Sequence, residues 1–283
     1  MYRKKILEKL KTIDEVPTML SIALEIDKLT HDINASAKQI SDIVRVDPAL
    51  TGKVLKIANS PIYASTQRIV SLQQAIARLG LDELRRISIS VAIINSFKTH
   101  YVDYKQFWIH SITVAYVSTY LREISNVNDR LEELYSASIL HDVGVIILDQ
   151  YFTDVYKKVF DIAAKKQFNL ELVEDKILGI SHAEVGAFLM KKWNLPEAII
   201  EPIRCHHHPQ KAKSFINQTK ILYLSNFICN NRGIDNGTNF FPNGFYNDIW
   251  EDLSLSIDEI DSIIEKVKDN VEKAKKLLKL GGV

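Results

Sequence analysis

The chain has 283 residues, 46% of them hydrophobic, enough to bury a substantial core in one large domain or two smaller ones. With 36 Lys and Arg against 35 Asp and Glu, it carries no net field that would gather nucleic acid or an acidic membrane, so neither partner is expected. Two cysteines are too few for a disulfide framework, and no apolar run reaches the roughly 18 residues of a membrane span or forms a signal-peptide core; a soluble, cytoplasmic protein is expected.

Apolar residues recur at steps of three and four almost throughout, so the elements read as helices and the fold class as all-α. One helix is expected near Ile22 to Leu29, and Ser36 caps the next. Asp47 followed by Pro48 is an N-cap with proline at the first helical position, and the helix it opens stops at Asn59-Ser60-Pro61. Ser71 caps a helix that ends at Gly80, and Asp82 begins a longer apolar helix towards Phe97. For Lys53, Arg85 and Arg86 a phosphate or partner patch stands beside the default reading of helix-surface charge. About five helices thus fall within the first hundred residues, enough for a helical subdomain.

Beyond Phe107 the helices lengthen and the histidines appear. His110 follows Phe107-Trp108, and Ser138 to Leu148 reads as an apolar helix with His141-Asp142 inside it. Ser181 and Glu184 form a capping box that puts His182 at the very start of a helix. Pro196 opens a helix that runs, with a kink expected at Pro202, to His206-His207-His208, and Pro209 ends it. Residues 230–248 hold Asn, Gly and three Phe and read as an ordered loop or lid. A second capping box, Ser256 to Glu259, opens a Lys/Glu-rich helix that stops at Gly281.

Adjacent His and Asp in apolar surroundings need a partner. A buried carboxylate without a counter-charge is strongly disfavoured, and a divalent cation shared with an imidazole removes that penalty. On residues alone, a structural ion pair stands beside metal ligation for His141-Asp142, and an exposed first helical residue stands beside a ligand for His182. His208 is expected to face solvent, Cys205 to be a packed small residue, and His31 and His100 to lie on the surface.

The string Asp47-Pro-Ala-Leu-Thr-Gly-Lys-Val-Leu-Lys-Ile-Ala-Asn-Ser60, with Ile76-Ala-Arg-Leu-Gly80 after it, closely resembles the HDOD (HD-related output domain) family of bacterial signalling proteins. Val16-Pro17, His110, Leu140-His-Asp142, His182-Ala-Glu-Val-Gly186, Trp193-Asn-Leu-Pro196 and His206-His207 follow in the family's order over nearly the whole chain. The resemblance implies a single HDOD domain over residues 1–283, with an N-terminal helical subdomain (1–100) packed on a helical core (101–283) related to the HD and HD-GYP phosphohydrolases. It also assigns metal-ligand roles to His110, His141, Asp142, His182, His206 and His207. At the place of the family's usual final aspartate stands Asn226, whose carbonyl coordinates weakly and adds no negative charge. Three imidazoles with one carboxylate, as in Asp142, His182, His206 and His207, suit iron, manganese, zinc or nickel.

Two further departures bear on chemistry. The lysine that commonly follows His-Asp-x-Gly in the phosphohydrolases is Val145, and no Asp-Gly-x-Gly-Tyr-Pro string follows the paired histidines. The expected function is therefore a bacterial signal-transduction module, non-catalytic, with a site for one or two metal ions and a protein partner or small ligand. The alternative is a metal-dependent phosphohydrolase acting on a nucleotide or phosphoester, with Asp142 as its catalytic carboxylate and Lys53, Arg204 or Lys220 as the cation for phosphate.

Overall fold

The computed structural model describes residues 2–13, 18–30, 36–60, 63, 68–125, 127, 133–236, 246, 248–255, 262, 263, 265, 268, 271, 272, 275, 278 and 279. Val16-Pro17, His31, most of the expected lid and the Ser256 to Glu259 capping box lie outside these residues. The described elements are all helical: α1 (Tyr2–Lys11), α2 (Thr18–Thr30), α3 (Ala37–Arg45), α4 (Pro48–Ala58), α5 (Leu72–Leu79), α6 (Leu81–Ile94), α7 (Tyr104–Ile124), α8 (Leu134–Leu140), α9 (Val143–Tyr151), α10 (Thr153–Lys166), α11 (Leu170–Ile177), α12 (His182–Lys192), α13 (Glu197–Cys205), α14 (Ile216–Asn231) and α15 (Asp248–Asp252). No helix among them is long and apolar enough to cross a membrane. The chain divides into two units, residues 16–97 with 272–283, and residues 1–15 with 98–271. Helix α1 is thus one helix more than the sequence suggests near the N-terminus, and it belongs with the second of these units.

In the smaller unit, local chemistry sets the helix ends. Ser36 and Gln39 form a reciprocal capping box on α3, Asp47 accepts hydrogen bonds from the amides of Ala49 and Leu50, and Ser71 accepts from Gln74. Gly80, at φ 80°, ends α5 in a backbone conformation that a side chain would strain. Asn59 does more than stop α4: its amide donates to the carbonyls of Leu55 and Ile69 and accepts from the Ile69 amide, tying the following segment to the helix end. Helix α6 packs on α2, α3, α4 and α5 and is buried on every face from Ile87 to Ile94. Arg85 departs from the expected surface position. It is largely buried and paired with the buried Asp27, because α2 and α6 lie against one another. Lys53 donates to Asn95 at 2.6 Å.

The larger unit is organised around α7, which packs on α8 and α14, while α12 packs on α9 and α13. An apolar cluster of Val114, Val117, Leu121, Leu134, Ile221, Leu224, Ile228 and Trp250 joins α7 to α14 and α15. Helix α1 is fastened to α12 by Arg3, which reaches Glu184 at 3.0 Å and the Gly179 carbonyl at 2.5 Å. The buried Asp149 on α9 accepts from the backbone amides of His100 (2.5 Å), Tyr101 (3.0 Å) and Val102 (3.4 Å), which fixes the segment that leads into α7.

The sequence reads Ser138 to Leu148 as one helix, and the structure corrects this. Helix α8 ends at Leu140 and α9 begins at Val143, so His141 and Asp142 occupy the break between them. Asp142 leaves helical geometry at φ −97°, ψ 9°, and its carbonyl accepts from Val145 in a tight turn. The break lets two adjacent side chains address one interior point, which successive positions of a regular helix, about 100° apart, do not do.

Candidate metal centre

Every element that carries an expected ligand belongs to the larger unit. His110 comes from the middle of α7, His141 and Asp142 from the α8/α9 break, His182 from the first position of α12, and His206 and His207 from the turn just past α13, which stops at Cys205, short of the histidines the sequence places on it. The capping box of Ser181 and Glu184 holds the start of α12, and Pro202 sits inside α13 as expected. Gly144 and Gly186 let α9 and α12 come very close. A Cβ on Gly144 would stand 1.9 Å from the His182 carbonyl oxygen, and one on Gly186 would press on Val143 and Ile203 at 3.3 Å. This approach carries the His182 ring to Asp142.

All six residues converge. His110, His141, Asp142, His182 and His206 are buried and His207 is half-buried. Ligand atoms of Asp142, His182, His206 and His207 lie within 4.8 Å of one another, as do those of His110, His141 and Asp142. Asp142 is shared by both groups. Its Oδ2 lies 3.1 Å from His141 Nε2 and 3.5 Å from His110 Nε2; its Oδ1 lies 3.3 Å from Nε2 of both His182 and His206.

The far side of each ring explains why Nε2 faces inward. The Nδ1–H of His110 donates to the Ile234 carbonyl at 2.6 Å, that of His141 to Ser138 at 2.7 Å, and that of His206 to Ile203 at 2.7 Å. His182 Nδ1–H donates to the Glu174 carboxylate at 2.7 Å. With Nδ1 carrying a proton, each ring turns Nε2 to the centre, as a lone pair wherever the ring is neutral. Nε2 of His110 then faces Nε2 of His141 at 3.3 Å, and Nε2 of His182 faces Nε2 of His207 at 2.9 Å. Among the described residues, the buried His206 Nε2 and Asp142 Oδ1 find no hydrogen-bond partner. A proton shared between facing nitrogens or a cation among them relieves this crowding of acceptors, and imidazole nitrogens with a carboxylate are a donor set that holds transition metals. The residues fit a metal ion.

Charge on the side chains follows the same geometry. Burial pushes the His141 imidazole down to about 4, against the pull of Asp142. His207 is held well below the ordinary histidine value by burial and by the imidazoles of His206 and His182. Burial would also lower His182, but Glu174 and Asp142 outweigh it and hold it well above that value. The Asp142 carboxyl, which burial alone would raise, is kept well below the carboxylate range by His141, His110 and His182.

Several surrounding residues carry no signal in the sequence. The buried Glu174 on α11 backs His182, and Tyr156 on α10 donates to Glu174 at 2.5 Å. Asn236, in the described start of the expected lid, donates to Asp142 Oδ2 at 2.7 Å, next to the Ile234 carbonyl that holds His110. Gln106 donates to Asp235 at 2.9 Å, so residues 234–236 are fastened over the cluster. Asn226 is buried on α14, where its carbonyl oxygen accepts from Asn230 at 2.8 Å. His208 is half-buried and not fully solvent-facing, because it lies 3.2 Å from Glu171 on α11. Cys205 is packed and His100 exposed, as expected. Val145 is wholly buried in the core.

A family model described as HDOD domain matches residues 16–209. A Geobacter sulfurreducens HDOD domain protein of unknown function is 22% identical, with a TM-score of 0.79 over 99% of this chain and 98% of its own. A Shewanella amazonensis protein named as a candidate phosphohydrolase is 20% identical, with a TM-score of 0.74 over 96% and 97%. A Marinobacter aquaeolei protein named as a candidate signal transduction protein is 21% identical, with a TM-score of 0.80 over 97% of this chain and 65% of its own. A Treponema pallidum protein, named only as uncharacterized, is 26% identical over 209 residues; they make up 72% of this chain and 41% of that protein.

Proposed function

The chain belongs to the HDOD domain family, and from that membership and the buried cluster we infer that it acts as a non-catalytic signal-transduction module built on a metal centre. A bound divalent ion would supply the positive charge that the inward-facing lone pairs lack. His110, His141, Asp142, His182, His206 and His207 would hold one or two such ions, iron, manganese, zinc or nickel by their donor chemistry. The same residues bind α7, the α8/α9 break, α12 and α13 into one rigid body. Its outer surface is then available to a signalling protein or a small ligand.

The observation that carries this reading is the closure of the site. Residues 234–236 cover it, Asn236 engages the shared carboxylate, and of the six residues only His207 has appreciable exposure. A phosphoester needs access and a cation beside the metal. Position 145 is a buried valine, Lys220 is engaged by Asp252 at 2.6 Å, and Arg204 is paired with Glu201.

The test is a turnover screen of metal-loaded protein with nucleotides, cyclic dinucleotides and a generic aryl phosphate. We expect no hydrolysis above the buffer rate. Turnover by wild type that Asp142→Ala abolishes would overturn the reading in favour of the phosphohydrolase.

A further inference from the structure

We propose that Glu174 is a positioning residue which, fixed by Tyr156 and acting through His182, confines a single divalent ion to the group of Asp142, His182, His206 and His207. This rests on the reading that the cluster holds metal and adds the number of ions, their place and the residue responsible.

Among the four inward-facing rings with a known Nδ1 partner, three are backed by neutral carbonyls, those of Ile234, Ser138 and Ile203. His182 alone is backed by a carboxylate. A buried carboxylate on the far nitrogen of an imidazole fixes the ring and raises the basicity of the nitrogen that faces the metal. Once an ion takes the place of any proton on Nε2, His182 is the strongest donor of these four rings, and its group is favoured over that of His110 and His141.

Both oxygens of Glu174 are engaged. Oε2 accepts from His182 Nδ1 at 2.7 Å and from the His182 backbone amide at 2.8 Å, and Oε1 accepts from the Tyr156 hydroxyl at 2.5 Å. Glu174 and Tyr156 are buried, so neither can rotate away into water. The backbone bond alone would be a helix cap for α12; the bonds to the ring and from the phenol are what a cap does not need.

Charge decides the number of ions. The carboxylates that touch the imidazoles of the cluster in the described residues are Asp142 and Glu174. Their two negative charges neutralise one dication. A second dication would find no further carboxylate against these imidazoles among the described residues and would have to bring hydroxide or another anion with it into a buried volume, which disfavours it.

The experiment is a calorimetric titration of Co²⁺ into the full chain after chelator treatment, together with the visible absorption of the Co²⁺-loaded protein. Wild type should take up one ion per chain. Glu174→Gln keeps an acceptor for the α12 cap but loses the charge, and should weaken Co²⁺ binding by about 10- to 100-fold and shift the absorption. Tyr156→Phe should weaken it by a smaller factor in the same direction. Asp149→Asn, which loosens the segment before α7, should lower the melting temperature and leave Co²⁺ affinity and absorption at the wild-type values. Wild-type affinity and absorption in Glu174→Gln, or uptake of two ions with similar affinity by wild type, would overturn the proposal. Should Glu174→Gln fail to fold, unchanged affinity and absorption in Tyr156→Phe would do so. Absence of Co²⁺ binding by wild type would instead overturn the metal reading, and this proposal with it.

Discussion

Gly144→Ala is expected to destabilise the larger unit by about 3 kcal/mol, the upper end of what overpacking costs, and to weaken metal binding at the same time. The new methyl would stand 1.9 Å from the His182 carbonyl oxygen and 3.0 Å from the Gly186 amide nitrogen, and both of these are backbone atoms. Neither neighbour can swing aside as a flexible side chain would. Helices α9 and α12 must separate, and because His182 is the first residue of α12, the separation draws its ring away from Asp142. Denaturant unfolding in the presence of chelator isolates the packing effect, and Co²⁺ titration measures the loss at the site. A variant as stable as wild type would show that α9 and α12 do not approach as closely as described. Alanine has no such consequence at Gly52, where an added Cβ meets nothing within 4 Å.

Metal removal is expected to have the other large effect. An ion that binds only the folded chain stabilises it by about 4 kcal/mol when its free concentration is roughly a thousandfold above Kd. For a unit of this size that corresponds to roughly 8 to 16 °C in melting temperature. Chelation should therefore lower the Tm of wild type by that amount, and readdition of the ion should restore it. Asp142→Ala removes the carboxylate shared by both groups of imidazoles, so its Tm should be the same with and without metal. Differential scanning calorimetry at fixed protein concentration makes the comparison. Equal Tm values for wild type before and after chelation would remove the structural role assigned to the ion.

Much of the helix framework can be read from the chain because its punctuation is local. Asp47-Pro48, Ser71, Gly80 and the Ser181 to Glu184 box each satisfy backbone groups within one turn, so their neighbours in sequence are also their partners in space. The histidines are legible for a different reason. They are few, and in an apolar setting a His-Asp pair stands out.

What the sequence hides is decided by tertiary contact. Glu174 lies in Leu-Glu-Leu-Val-Glu-Asp-Lys-Ile, where nothing separates it from the acidic face of an ordinary surface helix. Only the packing of α10 on α11 brings Tyr156 to one of its oxygens, and the turn before α12 brings His182 to the other. Arg85 reads as surface charge for the same reason, since its partner Asp27 is 58 residues away. The break at His141-Asp142 is also invisible in the apolar pattern, because residues on both sides of it are buried on all faces and the periodicity carries no boundary. Asn236 sits in an Asn- and Gly-containing stretch that reads as a loop or lid, and its contact with Asp142 spans 94 residues.

The account turns on whether the inward-facing histidines hold metal. The most direct measurement is the metal content of untagged protein, purified without chelator, by plasma mass spectrometry, beside an Asp142→Ala/His182→Ala double variant. One ion per chain in wild type, and none in the variant, is the predicted result. Wild type without metal, and unable to take it up, would contradict the account and leave the cluster as an arrangement of buried polar groups with no ion to organise it.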